Sequence, residues 1–537
     1  MQEISRRLFI AVVLMLLFGN AIQAATARYR CMWRDDPATS MVIGWDQVSG
    51  SDPVLYFDVK DHGMNFGAYR MSMRPNHVVN ARGMSNHFVR LNGLQPNTVY
   101  YFIIKDSDGL SRPMSFKTAP DDPAARLSII AGGDSRNHRE ARISANKLVG
   151  KLRPTMVLFN GDMTGDDSAA AWRRWLDDWQ HTISTDGRLF PIVVARGNHE
   201  ASNKSLVEIF DVKNSGLVYA LNFGGDLLRV YTLNSMIPAG GEQRDWLEAD
   251  LRKHQNVTWR FAQYHHAIRP HTSGKPEKDE LLLKWATLFH KYDVQLVIES
   301  DSHVAKWTYP IRPSRERGSD EGFIRDDENG SVYIGEGCWG APLRATDDDK
   351  SWTRSSGSFN QFNWIFVDAE KVEVRTVMTD ISDNVGTVSD RNIFEPPIGL
   401  SLWNPPGGDV LLIRNKSFAP PVVADPPARE PATGQSLAAA AQSAASKSAA
   451  EKEWARQPRI QCDESGDIVF RYTLKRSCNV LVLLLDEQFT VLDRLSLGQQ
   501  TAKTHLKELN LQKLKSGRYF LVIKGGEDVV GKYQIIR

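Results

Sequence analysis

The stretch FPIVVARGNHE, residues 190–200, decides how the rest of the chain is read. A short β-branched apolar run, residues 190–195, stops at a glycine and delivers Asn198, His199 and Glu200 in succession. An apolar strand that ends in a glycine turn bearing polar side chains is the arrangement by which α/β sheets present reactive groups past their carboxyl ends. Four further runs repeat it. LSIIA, residues 127–131, ends in Gly132-Gly133-Asp134, and MVLF, residues 156–159, ends in Asn160-Gly161-Asp162. WRFAQY, residues 259–264, ends in His265-His266, and VQLVI, residues 294–298, is followed by Glu299, Asp301 and His303. The glycines allow the tight turns that bring backbone and side chain close to an ion.

Carboxylates, an amide and imidazoles gathered in this way suit a pair of cations. Hydrolysis of a phosphate ester needs a nucleophile at neutral pH and compensation for charge growing on the phosphoryl oxygens. Two cations about 3.5–4 Å apart supply both, and a carboxylate between them with nitrogen and oxygen donors on either side holds them. Each residue alone has a plainer reading. An aspartate after a strand is commonly a turn or cap residue, and adjacent histidines such as His265 and His266 face opposite sides of a strand. Asp301 is also readable as a loop carboxylate at a site for a single metal. The common order and context of Asp134, Asp162, Asn198 and His303 favour the metal reading for the set.

From about residue 126 to 380 the sequence resembles the calcineurin-like metallophosphoesterases, and in detail their purple acid phosphatase branch. That family runs Gly-Asp, Gly-Asp-x-x-Tyr, Gly-Asn-His-Glu/Asp, a strand-end His, then Gly-His-x-His. The resemblance places Asp134 on the first aspartate, Asp162 on the bridging aspartate, Asn198 on the amide ligand, His265 on the strand-end histidine and His303 on the last histidine. It implies two metal ions, iron, manganese or zinc. Asp134 and His303 would hold one, Asp162 would bridge, and Asn198, His265 and Asp301 would hold the other. Water or hydroxide held by the metals would attack phosphorus. His199 would stabilise the phosphoryl oxygens or protonate the leaving alkoxide. His271 is a further catalytic candidate, His266 and Arg136 are candidates for binding phosphate, and Glu200 is expected to orient an imidazole.

Two positions depart from the pattern. Gly165 stands where the family has its metal-binding tyrosine, so the tyrosinate colour is expected to be absent. Asp301 stands where the family has a histidine, and its hard oxygen leans toward manganese, iron or magnesium over zinc.

The expected organisation is multidomain: an N-terminal β-sandwich, a central α/β/β/α four-layer metallophosphoesterase domain and a C-terminal small β-sandwich. At 537 residues the chain exceeds a single core. Residues 1–27 read as a signal peptide, because Arg6-Arg7 precede the apolar run 8–18 and Ala21, Ala24, Ala25 and Ala27 offer small residues for cleavage. That run is shorter than the roughly 20 residues of a spanning helix, so no membrane segment is expected after cleavage and the chain is expected to be secreted, periplasmic or on the cell surface. Residues 28–118 alternate as SMVIGW (40–45), VLYFD (54–58), HFVRL (87–91) and VYYFII (99–104) between turn residues. The phrase LQPNTVYY, residues 94–101, resembles the tyrosine corner of fibronectin type III modules, and the segment resembles the N-terminal domain of plant-type acid phosphatases.

The catalytic domain is expected over 119–415, with Trp172, Trp175 and Trp179 on a packed helix face. Residues 363–367 and 371–378 read as a hairpin adding a second sheet. Residues 416–456, rich in Pro, Ala, Ser and Gln, read as a linker, and residues 457–537 return to β character. The ending 514–537 faintly resembles type IX secretion sorting domains, although a generic small sandwich is the simpler reading. Cys462 and Cys478 are the candidate disulfide, and Cys31 and Cys338 are expected as buried thiols.

With 24% charged residues and a net charge of +2, nothing demands a nucleic-acid partner. The expected activity is hydrolysis of phosphomonoesters of a small phosphorylated substrate by a metal-bound hydroxide. The alternatives are a phosphodiesterase or nucleotide-directed esterase on the same site, or a non-catalytic metal-bearing surface-binding protein. Oligomeric state is not readable.

Overall fold

The computed structural model describes residues 25–418 continuously and most of 459–536. Residues 1–24 of the expected leader, 419–456 of the expected linker and Cys462 of the expected disulfide lie outside the described residues. Two compact units divide the chain near residue 420.

The first unit opens with two four-stranded antiparallel sheets. One runs Thr26–Met32, Ser40–Gln47, Met84–Asn92, His77–Ala81, and the other Met71–Met73, Val54–Asp58, Val99–Lys105, Met114–Lys117. All four alternating runs read from the sequence lie in these strands, although the first strand begins at Thr26, inside the span assigned to the leader. Alternation sends Ile43, Trp45, Phe102, Ile104 and Phe116 into a common core. The Tyr100 hydroxyl accepts from the Gln95 amide at 2.9 Å, the tie a tyrosine corner makes.

Two mixed sheets follow. The first has the order Ile192–Val194, Met156–Phe159, Leu127–Gly132, Gln361–Val367, Lys371–Met378, Leu411–Arg414. Its first three strands are parallel and buried throughout, which explains their unbroken apolar character. The second sheet has the order Tyr219–Phe223, Leu228–Thr232, Trp259–His266, Leu296–Ser300, Val332–Gly335, Ala305–Thr308, Thr353–Gly357. The five strands that end in the expected ligands are therefore shared between two sheets, three in the first and two in the second.

The hairpin of residues 361–378 does not found a second sheet, contrary to the sequence reading. Gln361–Val367 pairs antiparallel with Leu127–Gly132 and extends the first sheet, and Trp364 Nε1 donates to Ser128 Oγ at 2.9 Å across that pairing. Helices Arg139–Leu152 and Ala169–Trp179 carry Leu148, Val149, Trp172, Trp175 and Trp179 into a core shared with the first sheet. The three tryptophans are buried, as a packed helix face requires.

The second unit contains a five-stranded sheet, Arg459–Gln461, Asp528–Ile536, Arg518–Gly525, Cys478–Leu485, Val491–Gln500, and a two-stranded sheet, Asp467–Thr473 with Thr504–Asn510. Ile468 and Phe470 of the smaller sheet share a core with Val482, Leu521 and Ile523 of the larger. Cys31 and Cys338 are buried and unbridged. Among the described residues, no helix is long and apolar enough to cross a membrane.

Candidate metal centre

Asp134, Asp162, Asp301 and His303 all sit just past strand ends with positive φ, at 58°, 54°, 73° and 58°. Such backbone is uncommon for residues with a Cβ and is concentrated at functional sites. The neighbouring turns are correspondingly tight. A Cβ on Gly197 would lie 2.2 Å from Asp162 Oδ1, and one on Gly337 would lie 2.0 Å from Asp134 Oδ2, so both approaches require glycine.

These turns bring donor atoms of Asp134, Asp162 and His303 within 4.8 Å of one another. His303 Nδ1 donates to the Pro342 carbonyl at 2.7 Å, and its Nε2 lies 3.3 Å from Asp134 Oδ1. That carboxylate oxygen is buried without a hydrogen-bond donor among the described residues. A buried carboxylate oxygen without a donor calls for a cation beside it.

A second group of acceptors adjoins the first. His265 Nδ1 donates to the Asn160 carbonyl at 2.8 Å. Its Nε2 then faces Asn198 Oδ1 at 3.1 Å, Asp162 Oδ1 at 3.4 Å and Asp301 Oδ1 at 3.6 Å. Burial opposes a charge on His265, yet Asp162, Asp134 and Asp301 outweigh it and push its pKa up to about 10. Burial likewise opposes ionisation of Asp301, but His265 and Lys275 hold it well below the usual carboxylate range. The pocket therefore demands positive charge. Asp162 stands between the groups, with Oδ1 toward His265 and Oδ2 3.2 Å from Arg136 Nε. The oxygen-rich donor set of Asp134, Asp162 and His303 fits a hard divalent cation.

His199 lies at the edge, its side chain 30% exposed. Its Nδ1 donates to the Gly165 carbonyl at 2.8 Å, and its Nε2 lies 3.8 Å from Asp162 Oδ2. The residue at the family's tyrosine position thus fixes the tautomer of His199 through its backbone. Arg136 reaches the cluster as well, with Nη2 3.2 Å from His303 Nε2. His266 is half-buried beside His265, with Nδ1 3.3 Å from the Ser235 carbonyl, and burial together with His265 lowers its pKa to about 4.

Two expectations need correction. His271 is fully buried and both ring nitrogens are occupied, Nδ1 by Glu336 at 3.1 Å and Nε2 by Thr353 Oγ1 at 2.7 Å, which leaves neither free for substrate. Glu200 orients no imidazole. Its carboxylate accepts from the amides of Asp162, Met163 and Gly197 at 3.1, 2.7 and 2.7 Å and clamps two ligand turns together. Burial and the charge of Asp162 push its pKa up to about 7.

The sequence reading missed several residues. Asn160 Nδ2 donates to the carbonyls of Tyr264 at 3.2 Å and Ile298 at 2.9 Å, joining the first sheet to the second. Lys275 Nζ lies 2.5 Å from Asp301 Oδ1, and Arg344 Nη1 donates to the Asp301 carbonyl at 2.9 Å. Buried Lys306 sits between Glu299 at 2.6 Å and Glu336 at 2.5 Å, directly behind the loop bearing Asp301 and His303. Asn160 opens a strand-end turn, but Lys275, Arg344 and Lys306 stand at no such motif position; only the length of their side chains and the adjacency of the strands bring them in.

Family models match two segments: "Purple acid Phosphatase, N-terminal domain" over residues 27–118 and "Calcineurin-like phosphoesterase" over residues 135–305. An uncharacterised Mycobacterium tuberculosis protein is 25% identical over 324 residues, which are 51% of this chain and 60% of that protein. The chain thus spans about 60% of the length of that relative. Purple acid phosphatase 23 of Arabidopsis thaliana is 24% identical over 343 residues, 53% of this chain and 73% of the relative. The fold matches a purple acid phosphatase from yellow lupin seeds with a TM-score of 0.53 at 15% identity, covering 69% of this chain and 76% of that one. It also matches PhoD with a TM-score of 0.54 at 14% identity, covering 73% and 90%.

Proposed function

From the premise that the chain joins a purple acid phosphatase N-terminal domain to a calcineurin-like phosphoesterase domain, we propose that it is a secreted, metal-dependent phosphoesterase that hydrolyses phosphomonoesters of small substrates. Asp134, Asp162 and His303 would hold one cation, and Asp162, Asn198, His265 and Asp301 a second. Cations so held supply an activated water and offset charge on the phosphoryl oxygens. The buried Asp134 Oδ1, without a hydrogen-bond donor among the described residues and 3.3 Å from His303 Nε2, carries this reading.

The chain's own groups divide the remaining work. His199, with its proton kept on Nδ1 by Gly165, presents Nε2 to the leaving-group side and accepts or returns a proton there. Arg136, half-buried beside Asp162, steadies phosphoryl oxygens. His266, neutral over the ordinary pH range, offers a hydrogen bond without adding charge.

We read the two mixed sheets and their outer helices as α/β/β/α layers, residues 28–118 and 119–415 as the two domains of the first unit, and 457–537 as a small sandwich. Secretion rests on the charged, apolar and small-residue pattern of residues 1–27. Elemental analysis of the purified protein, with turnover of p-nitrophenyl phosphate and of its bis-ester before and after chelation, tests the proposal. Two equivalents of metal with chelator-sensitive monoester turnover support it. Preference for the bis-ester replaces it with a diesterase, and full metal content without turnover of either leaves a binding protein.

A further inference from the structure

The two cation positions are not alike. At the first, Asp134 Oδ1 has no donor, and the nearest basic side chain, Arg136, stands 3.2 Å from both Asp162 Oδ2 and His303 Nε2. Arg136 hydrogen-bonds to both, but at longer range than the 2.5 Å pair of Lys275 and Asp301, and another arm of Arg136 is bonded to Asn137 Oδ1 at 2.8 Å. At the second, the one carboxylate not shared with the first is Asp301, and its Oδ1 is already held by Lys275 Nζ at 2.5 Å. The other donors there, Asn198 Oδ1 and His265 Nε2, come from an amide and an imidazole and add no carboxylate.

We propose that Lys275 is a built-in competitor for the second cation position, so that the two positions load in sequence: first at Asp134, Asp162 and His303, then more weakly at Asn198, His265 and Asp301. The inference rests on the two-cation reading above. A cation that takes Asp301 Oδ1 either displaces the ammonium, losing a close ion pair, or remains beside it and meets like-charge repulsion in a pocket of reduced dielectric. Both outcomes weaken the second step and leave the first largely untouched.

The competitor is placed by the fold. Lys275 follows Gly274 in a loop anchored at Ser273, whose amide and hydroxyl both bond to Asp347 at 2.8 Å, and its own amide donates to the Thr272 carbonyl at 3.2 Å. The Lys275 side chain is 18% exposed against 5% for Asp301. The ammonium therefore has a route to water when a cation arrives, whereas the carboxylate has none. The aspartate at position 301 creates the need for this partner, because a buried carboxylate requires a counter-charge that a neutral imidazole would not.

Calorimetric titration of the full chain with Mn2+, checked by electron paramagnetic resonance of unbound Mn2+, reads both steps without reference to turnover. Wild type is expected to show a tight and a weak step. Lys275→Met should tighten the second by about tenfold or more while the first holds within about twofold, and Lys275→Arg should keep the second weak. The retained first step shows that the variant has folded. Equal affinities in wild type, no Mn2+ binding, or a second step that Lys275→Met leaves unchanged or weakens would overturn the proposal. A protein that shows the two steps and the Lys275→Met effect but turns over no phosphoester would retain this inference and lose the proposed activity.

Discussion

Lys306 Nζ lies 2.5 Å from Glu336 Oε1 with both side chains almost wholly buried. The same ammonium reaches Glu299 at 2.6 Å, and the Glu336 carbonyl accepts the His303 amide at 2.8 Å, so the pair sits directly beneath a ligand loop. Removing Lys306 strands two buried carboxylates. Lys306→Met is expected to lower stability by about 3–5 kcal/mol, measured by urea denaturation, and Glu336→Gln in the same chain should recover part of the loss.

Glu336 also sets an acid limit. Burial raises its pKa, but Lys306 and His271 outweigh that and lower it to about 2 from its usual 4.5. The unfolded chain therefore takes up this proton first. The associated stability is complete above pH 4.5 and is lost as pH falls toward 2. Urea midpoints at pH 5 and pH 3 should show the decline in wild type and a smaller one in Glu336→Gln; equal declines would count against it.

Removing donors at the first position should act through cation content. Asp134→Asn and His303→Ala are each expected to reduce metal occupancy and to lower kcat/KM for p-nitrophenyl phosphate by about a hundredfold or more. Elemental analysis of the same preparations separates lost metal from lost fold.

His199 should behave differently. His199→Ala is expected to retain metal content and to lower kcat by about 10²–10⁴-fold, the range for removing a proton-transfer group. A variant that keeps wild-type kcat would remove His199 from the chemistry.

Glu200 joins the turns of Asp162 and Gly197 through three amides. Glu200→Ala leaves those donors buried and is expected to cut metal affinity by about 10–100-fold while thermal stability also falls. His271→Gln, in contrast, should affect stability more than cation binding, since His271 contacts Glu336 and Thr353.

The parts of this architecture that follow local rules were readable in the sequence. Alternation exposed the strands around Trp45 and Phe102, and apolar runs ending in glycine and aspartate located Asp134 and Asp162. Motif order then grouped Asn198, His265 and His303 with them. Relations made between distant segments were not readable. Whether Gln361–Val367 extends the first sheet or opens another is decided by its pairing with Leu127–Gly132, and nothing in either run states that partner. His271 reads as a catalytic candidate in the sequence, but its bonds to Glu336 and Thr353 join segments 65 and 82 residues away. Lys275 reaches Asp301 across 26 residues, with no spacing rule to announce it.

Asn160 receives the His265 ring on its backbone carbonyl and sends its side-chain amide to Tyr264 and Ile298. It works as a dowel between the two halves of the proposed cation cradle, since Asp134, Asp162 and Asn198 come from one sheet and His265, Asp301 and His303 from the other. The separation of the two donor groups is then gauged by how deeply those sheets mesh, so a cavity opened far away in their common interior would be felt as a change in the affinity for cations.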